Sequence, residues 1–455
     1  MYLRHARLGS LDFDTGIHDQ AIWLLARGRG FDTVRGLPVF GHHATVGYYL
    51  LAPLSWLGAG PQVWNLLQVL VLALGAVPVF LLARLRTGHA WIGTALGAAF
   101  LLHPSTGFFA WELFHPEVLA LTPLLTAYYC SVRRRWTWFA FWVVLAVVWK
   151  EDVALVVVVL GLLVAVRGDR RVGLWTAAGA LAWFLAWTLG IFPLLDGGHV
   201  QSAGLYADVG GSPGGIVRTL FSSPRKITSR LVDHEAGHYL WRLTAPYAFV
   251  PLLAVPVLLL GVPQVLFNLI TNVPWTKTAT YHYAALPVFA LTVALVEGVA
   301  WLGRRVRGPR LPRALAAGVL AAAAVTTAAW GLSPIGHEYR RGWWPLVADP
   351  RADVARADLA RIPGSAGVSA SYNLVPQLSR RAEIYSFPNP WESSNFGIDG
   401  RPRRSPRRVQ WILLDRRVLD AHASGLLDRI VARGRFRVVS DRADYVLARR
   451  VGRDG

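Results

Sequence analysis

The stretch 136-WTWFAFWVVLAVVWKEDVALVVVVLGLLVAV-166 decides the architecture of this chain. Two apolar runs, 136–149 and 153–166, flank the triplet Lys150, Glu151, Asp152, and arginines close both ends: Arg133, Arg134 and Arg135 before, Arg167, Arg170 and Arg171 after. Read as one helix, the stretch would be about 46 Å long. It would change sides of a bilayer and set three charges near mid-membrane at about 2.5 to 3.5 kcal/mol each. Read as a hairpin, it keeps both arginine clusters on the cytoplasmic side, where short basic loops stay. Each arm then spans about 21 Å, so the charged tip lies below the outer surface and is buried by other helices.

Working outward, 61–83, 90–110, 116–132, 172–195, 244–261, 281–302 and 313–332 approach the roughly 20 apolar residues that a spanning helix needs. The run 44–58 is broken by Pro53 and reads as a short or re-entrant helix. Counting crossings between the arginine clusters puts 1–43, the turn 114–117, the long loop 196–243 and everything after 332 outside, and requires 262–272 to return outward. The expected fold class is an α-helical polytopic membrane protein with about 9 to 11 membrane helices or half-helices and a C-terminal extracytoplasmic α/β domain. Its expected segments are 1–43, a first outer loop carrying an amphipathic helix; 44–332, the transmembrane domain; and 333–455, the outer domain. In that last segment 366–372, 383–387, 409–414 and 437–439 read as strands, with helices at 352–361 and 419–433.

Composition agrees. Of 455 residues, 54% are hydrophobic and 16% charged, and mean hydropathy is +0.37; an average soluble protein carries about 25% charged residues. The single cysteine, Cys130, excludes an intrachain disulfide scaffold. The net charge of +20 comes from 47 Lys+Arg against 27 Asp+Glu. Nearly all the cations are arginine, and with abundant Ala and Gly this tracks a high-GC bacterial genome, not a nucleic-acid surface.

Topology collects the informative polar residues on one side: Asp12, Asp14, His18, Asp19, His42, His43, His115, Glu117, Lys150, Glu151, Asp152, Lys277 and His282. Carboxylates, histidines and lysines gathered at membrane depth mark a functional site by default. Each also has a structural reading. Asp14 can cap the amphipathic helix 15–26, whose Ile17, Ile22 and Leu25 would lie on the bilayer. His115-Pro116-Glu117 also describes a helix start, and Lys150 with Glu151 or Asp152 a structural ion pair.

Several signatures together resemble one polytopic bacterial membrane family, domain of unknown function 2079. They are Phe13-Asp14-Thr15-Gly16-Ile17-His18-Asp19-Gln20, His43 ahead of Leu50-Leu51-Ala52-Pro53-Leu54, Phe114-His115-Pro116-Glu117, and Lys150-Glu151-Asp152-Val153-Ala154. Later stretches fit too: Ser223-Pro224, Tyr239-Leu240, Phe249-Val250-Pro251, His282-Tyr283, Gly367-Val368-Ser369 and Tyr385-Ser386-Phe387-Pro388. Members of that family usually place a spanning helix before the acidic loop, so the resemblance implies a start codon set too far downstream here.

The family is similar in layout to the GT-C glycosyltransferases, and this implies a bacterial inner-membrane enzyme. It would move a sugar from a polyprenyl-phosphate donor to an envelope acceptor at the outer face. Asp19-Gln20-Ala21 and His43-Ala44-Thr45 occupy the places of the Asp-Glu and His-Pro-Pro-like segments of those enzymes, although Gln20 replaces the second acid and no prolines follow His43. An inverting transfer needs a carboxylate base and cationic groups for the departing phosphate. Asp19 is the expected base with Asp14 second. The binding residues expected are His42, His43, His115, Glu117, Lys150, Glu151, Asp152, Lys277 and His282. Of these, Lys150, His115 and His282 would hold the phosphate or a divalent cation shared with carboxylates.

A competing motif is 234-HEAGH-238, in which His234 and His238 would bind zinc and Glu235 activate water. A third protein ligand is hard to find for it, because no Asp or Glu occurs between His238 and Glu297. The non-enzymatic alternative is a transporter or an envelope assembly partner.

Overall fold

The computed structural model describes residues 2–195, 201–305, 310–336, 349–395, 398–400 and 404–452. The chain forms two compact units: Met1–His42, Tyr48–Leu66 and Trp344–Gly455 in one, His43–Gly47 and Leu67–Trp343 in the other. The expected first loop therefore belongs to the same unit as the C-terminal segment, and the expected boundaries at 43 and 332 do not coincide with this division.

Among the described residues, five helices are long and apolar enough to cross a membrane: Pro61–Thr87, Arg170–Leu195, Val250–Ile270, His282–Arg305 and Arg310–Trp330. Three shorter apolar helices, Ala90–Leu102, Trp136–Val147 and Val153–Arg167, accompany them. The shortening has local causes. The run 90–110 breaks at His103, whose extended backbone precedes Pro104 at the start of a new helix. The run 116–132 opens as a 3-10 turn, Pro116–Ala120. The stretch 136–166 is two helices interrupted at the charged triplet, not one.

The second of those helices packs on Arg170–Leu185 through small residues. Gly161 and Ala165 meet Gly173 and Ala177 so closely that a Cβ on Gly173 would stand 2.2 Å from the Ala165 nitrogen. This is the small-xxx-small approach of membrane helices, where backbone contact replaces a hydrophobic driving force. Gly173→Leu is expected to destabilise the protein by about 1 to 3 kcal/mol through overpacking, read as a lowered melting temperature in detergent. An unchanged melting temperature would contradict the contact.

The return crossing uses different residues from those expected. Instead of 244–261 descending and 262–272 returning, one stretch, Val250–Ile270, runs antiparallel to His282–Arg305: Gly298 abuts the Val250 carbonyl, Gly261 abuts Ala290, and Asn268 Nδ2 donates to the Tyr283 carbonyl at 2.9 Å. The chain turns into it through Ala248 and Phe249, both left-handed at φ 50° and 58°, a strained geometry for non-glycine residues. In the segment before the second span, Lys277 pairs with Asp233 at 3.1 Å and with Glu235 at 3.4 Å.

In the other unit a mixed five-stranded sheet has the order Ile384–Ser386, Val368–Ala370, Trp411–Asp415, Tyr445–Arg450, Phe436–Arg442; the first three are parallel and the rest antiparallel. Strands Ile384–Ser386, Val368–Ala370 and Trp411–Asp415 are buried on both faces, whereas the edge strand Phe436–Arg442 is more than half exposed. Val368, Ala370, Trp411 and Leu413 face one core, to which helix Arg351–Leu359 and N-terminal residues Leu8, Ile17 and Val34 contribute. Ile412, Leu414, Val446 and Ala448 face Leu426, Leu427 and Ile430 of helix Ala421–Ala432. Strand Tyr445–Arg450 is not among the expected four, since its final arginines disguise a buried start.

The amphipathic stretch does not lie on a bilayer with Ile17 and Ile22. Helix Ile17–Leu25 buries both, and Ile17 joins the sheet's core. Its N-cap is Gly16 with no side-chain cap, so Asp14 does not cap it. Gln20 closes the loop that follows, accepting from Thr33 N and Val34 N at 3.0 Å and donating to the Arg381 carbonyl at 3.1 Å.

Nearby Asp32 is buried, and that burial pushes its carboxyl up to about 7 against the Arg35 N–H, which donates to it at 3.0 Å. A raised carboxyl pKa gives stability that is full below the unfolded value near 4 and lost as pH rises through about 7. Asp32→Asn removes that penalty while keeping an acceptor for Arg35 N. The variant should therefore gain melting temperature over the parent at pH 7.5 and lose that gain at pH 4.5. A difference that does not change with pH would contradict the buried-acid reading.

Candidate functional site

In the unit containing 67–343, three local devices aim polar side chains at one another. Pro116 starts the turn that presents His115 and Glu117, the helix break presents Lys150, Glu151 and Asp152, and the head of the span His282–Arg305 presents His282. Lys150 Nζ lies 2.8 Å from Glu117 Oε1 and 3.5 Å from Asp152 Oδ2, with both Lys150 and Glu117 side chains 8% exposed. The ammonium also stands 5.6 Å from the centre of the Tyr283 ring. So the expected ion pair exists, but Lys150's closest partner is Glu117, a residue 33 positions away, and not its neighbours.

His282 joins the same carboxylate, its Nε2 lying 3.5 Å from Glu117 Oε1, while its Nδ1 donates to Glu112 Oε1 at 3.0 Å. Glu112 Oε2 accepts the His282 backbone N–H at 2.6 Å. The His115 ring stacks on that of His282 with centroids 3.7 Å apart. His115 Nδ1 donates to the Leu113 carbonyl at 2.8 Å and its backbone N–H to Gln68 Oε1 at 2.7 Å. With Nδ1 carrying the proton, Nε2 is the lone-pair nitrogen of His115. One ligand atom each of Glu112, His115 and His282 lies within 4.8 Å of the others, so these three could hold a metal ion.

His43 is tied in from another segment: its Nδ1 donates to Glu151 Oε1 at 2.8 Å, and Ala44 N donates to Glu151 Oε2 at 3.0 Å. Of the expected site residues, His43, His115, Glu117, Lys150, Glu151, Asp152 and His282 are thus linked. Lys277 instead holds Asp233 and Glu235, and His42 belongs to the other unit. Glu112, Gln68 and Tyr283 are members that the sequence did not single out. Glu112 stands three residues before His115 in Trp111-Glu112-Leu113-Phe114-His115, a signal masked by the stronger motif that follows.

The zinc motif does form a helix, His234–Thr244, but Asp233 caps it through Ala236 N. The His234 and His238 rings are exposed, with centroids 6.5 Å apart. Among the described residues, the only group of three or more possible ligands is Glu112, His115 and His282. The expected motif zinc is therefore not supported: Glu235 is engaged by Lys277 and no third ligand joins the two histidines.

In the other unit Asp19 is 1% exposed. Its Oδ1 accepts from Trp64 Nε1 at 2.7 Å and its Oδ2 from Ser379 Oγ at 2.6 Å, and burial pushes its carboxyl up to about 6. Both oxygens of this enclosed acid are therefore engaged. Asp14 is half-buried, beside Asp12, whose carboxyl burial also pushes up to about 6. His18 Nδ1 bonds the Tyr48 hydroxyl at 2.5 Å.

Apolar spans with an ionised cluster at their heads define a polytopic membrane protein. The chain belongs to the predicted membrane protein family of domain of unknown function 2079, whose model matches residues 4–447. No curated protein matches it. A solved structure, ArnT from Cupriavidus metallidurans in the apo state, is similar at 13% identity over 96% of this chain and 93% of that one, with a TM-score of 0.49. A likeness of that size fixes neither the detailed fold nor the chemistry.

Proposed function

We propose that the protein is a glycosyltransferase of the bacterial inner membrane. In this reading it moves a sugar from a polyprenyl-phosphate donor to an envelope acceptor at the outer face, with its C-terminal unit outside. The observation that carries the reading is the cluster of Lys150, Glu117, His282 and His115: a buried cation and two imidazoles at the heads of apolar helices suit the phosphate of a donor whose tail lies in lipid. The acceptor hydroxyl loses its proton to a carboxylate, its oxygen bonds the sugar's anomeric carbon, and the bond from that carbon to the phosphate oxygen breaks. Lys150 and the imidazoles stabilise the departing phosphate. Polyprenyl phosphate should raise the melting temperature of the wild type and leave that of His115→Ala unchanged. An equal rise with plain polyprenol would sink the phosphate assignment.

A second reading, transport of a lipid-linked or free sugar, is favoured by the broken helices at His103 and at Ala248-Phe249, since interrupted helices at membrane depth line transporter sites. Counterflow of labelled sugar in vesicles without any transfer product would favour it over the enzyme.

A further inference from the structure

We infer that Glu112, His115 and His282 form a binding site for a divalent transition-metal cation, with zinc the best chemical match. The inference stands apart from the transferase reading, because it concerns what these side chains coordinate and not what reaction follows.

Three observations point to it. The ligand atoms of the three residues lie within 4.8 Å of one another; zinc bonds of roughly 2.0 to 2.2 Å set two ligands of one ion at most about 4.4 Å apart, so side-chain shifts of up to about 1 Å bring the set onto one ion. The set is two histidines and one glutamate, a donor combination that suits zinc and leaves a fourth position open. The support behind the ligands is also in place. His115 is held by its Nδ1–H on the Leu113 carbonyl and by Gln68 on its backbone, which fixes Nε2 as the donor nitrogen. A metal-binding histidine is oriented by a partner on its other nitrogen in this way. On the far side, the proton that His282 Nδ1 shares with Glu112 Oε1 across 3.0 Å is the one a cation replaces. Glu112 is itself anchored by the His282 backbone N–H.

Charge balance favours the ion as well. With the histidines neutral, Glu112, Glu117, Glu151 and Asp152 place four negative charges in the linked network against the one positive charge of Lys150. A divalent ion would offset two of the remaining three, where buried carboxylates are carried only when paired.

The test is metal content of the full-length protein, purified in detergent, stripped with chelator, reloaded with zinc chloride and desalted. About one zinc per chain is expected for the wild type and for the His234→Ala/His238→Ala double variant. His115→Ala and His282→Ala should lose it, and Glu112→Gln should bind about 10- to 100-fold more weakly. A wild type that retains no zinc overturns the proposal, as does zinc lost only in the double variant. Cobalt loading of the wild type supplies a readout that needs no variant to fold: intense visible absorption of a low-coordinate site, bleached by added zinc, is expected. Its absence overturns the site.

Discussion

Lys150→Met is expected to lower the stability of the detergent-solubilised protein by about 3 to 5 kcal/mol, because it removes the ammonium 2.8 Å from the buried Glu117 carboxylate and leaves that charge to the more distant His282 imidazole at 3.5 Å. Adding Glu117→Gln should recover most of that loss, since replacing both partners of a buried pair is far milder than removing one. If the ammonium serves only packing, the double variant regains activity along with stability. If Lys150 stabilises the departing phosphate, the double variant regains stability and stays inactive, because that phosphate has lost its cation; this is the expected result. Melting curves together with turnover of the two variants separate the cases. A fully active double variant would reduce Lys150 to a structural role.

Asp19→Asn should leave the stability nearly unchanged. Ser379 Oγ already contacts the Pro376 carbonyl at 3.0 Å, so it can donate there and accept from the new amide, while Trp64 keeps its acceptor. Asp19→Ala removes both acceptors and should cost about 2 to 4 kcal/mol in stability through unsatisfied buried donors. Melting curves of the two variants measure the difference, and an equal loss in both would contradict these hydrogen bonds.

The helix break at residues 150–152 is legible in the sequence because three charges in an apolar run can be tolerated only at a helix interruption. Three strands of the sheet are legible because two-sided burial leaves short apolar runs between turn residues; the fourth, at the edge, is legible only at its Val438-Val439 pair. The shared side of His43, His115, Lys150 and His282 follows from the arginine loops, and the structure links them through Glu117, Glu112 and Glu151. Partner choice is not legible. Lys150 lies nearer Glu117 than its own neighbour Asp152, a preference set by how helices pack and not by spacing. The burial of the acidic loop is hidden for a related reason: Ser379, distant in sequence, closes over Asp19. The return crossing is displaced because hydropathy does not mark the left-handed pair Ala248-Phe249, where the chain turns.

The most direct test is a transfer assay in proteoliposomes that hold the full-length protein and a polyprenyl-phosphate-linked sugar labelled separately in the sugar and in the phosphate. Glycosyl transfer predicts that sugar label moves to an acceptor present at the outer face while phosphate label stays with the lipid as free polyprenyl phosphate, in equal amounts, and that neither happens with the Lys150→Met/Glu117→Gln double variant. Sugar label crossing the bilayer with the donor bond intact, at the same rate in wild type and the double variant, would contradict it.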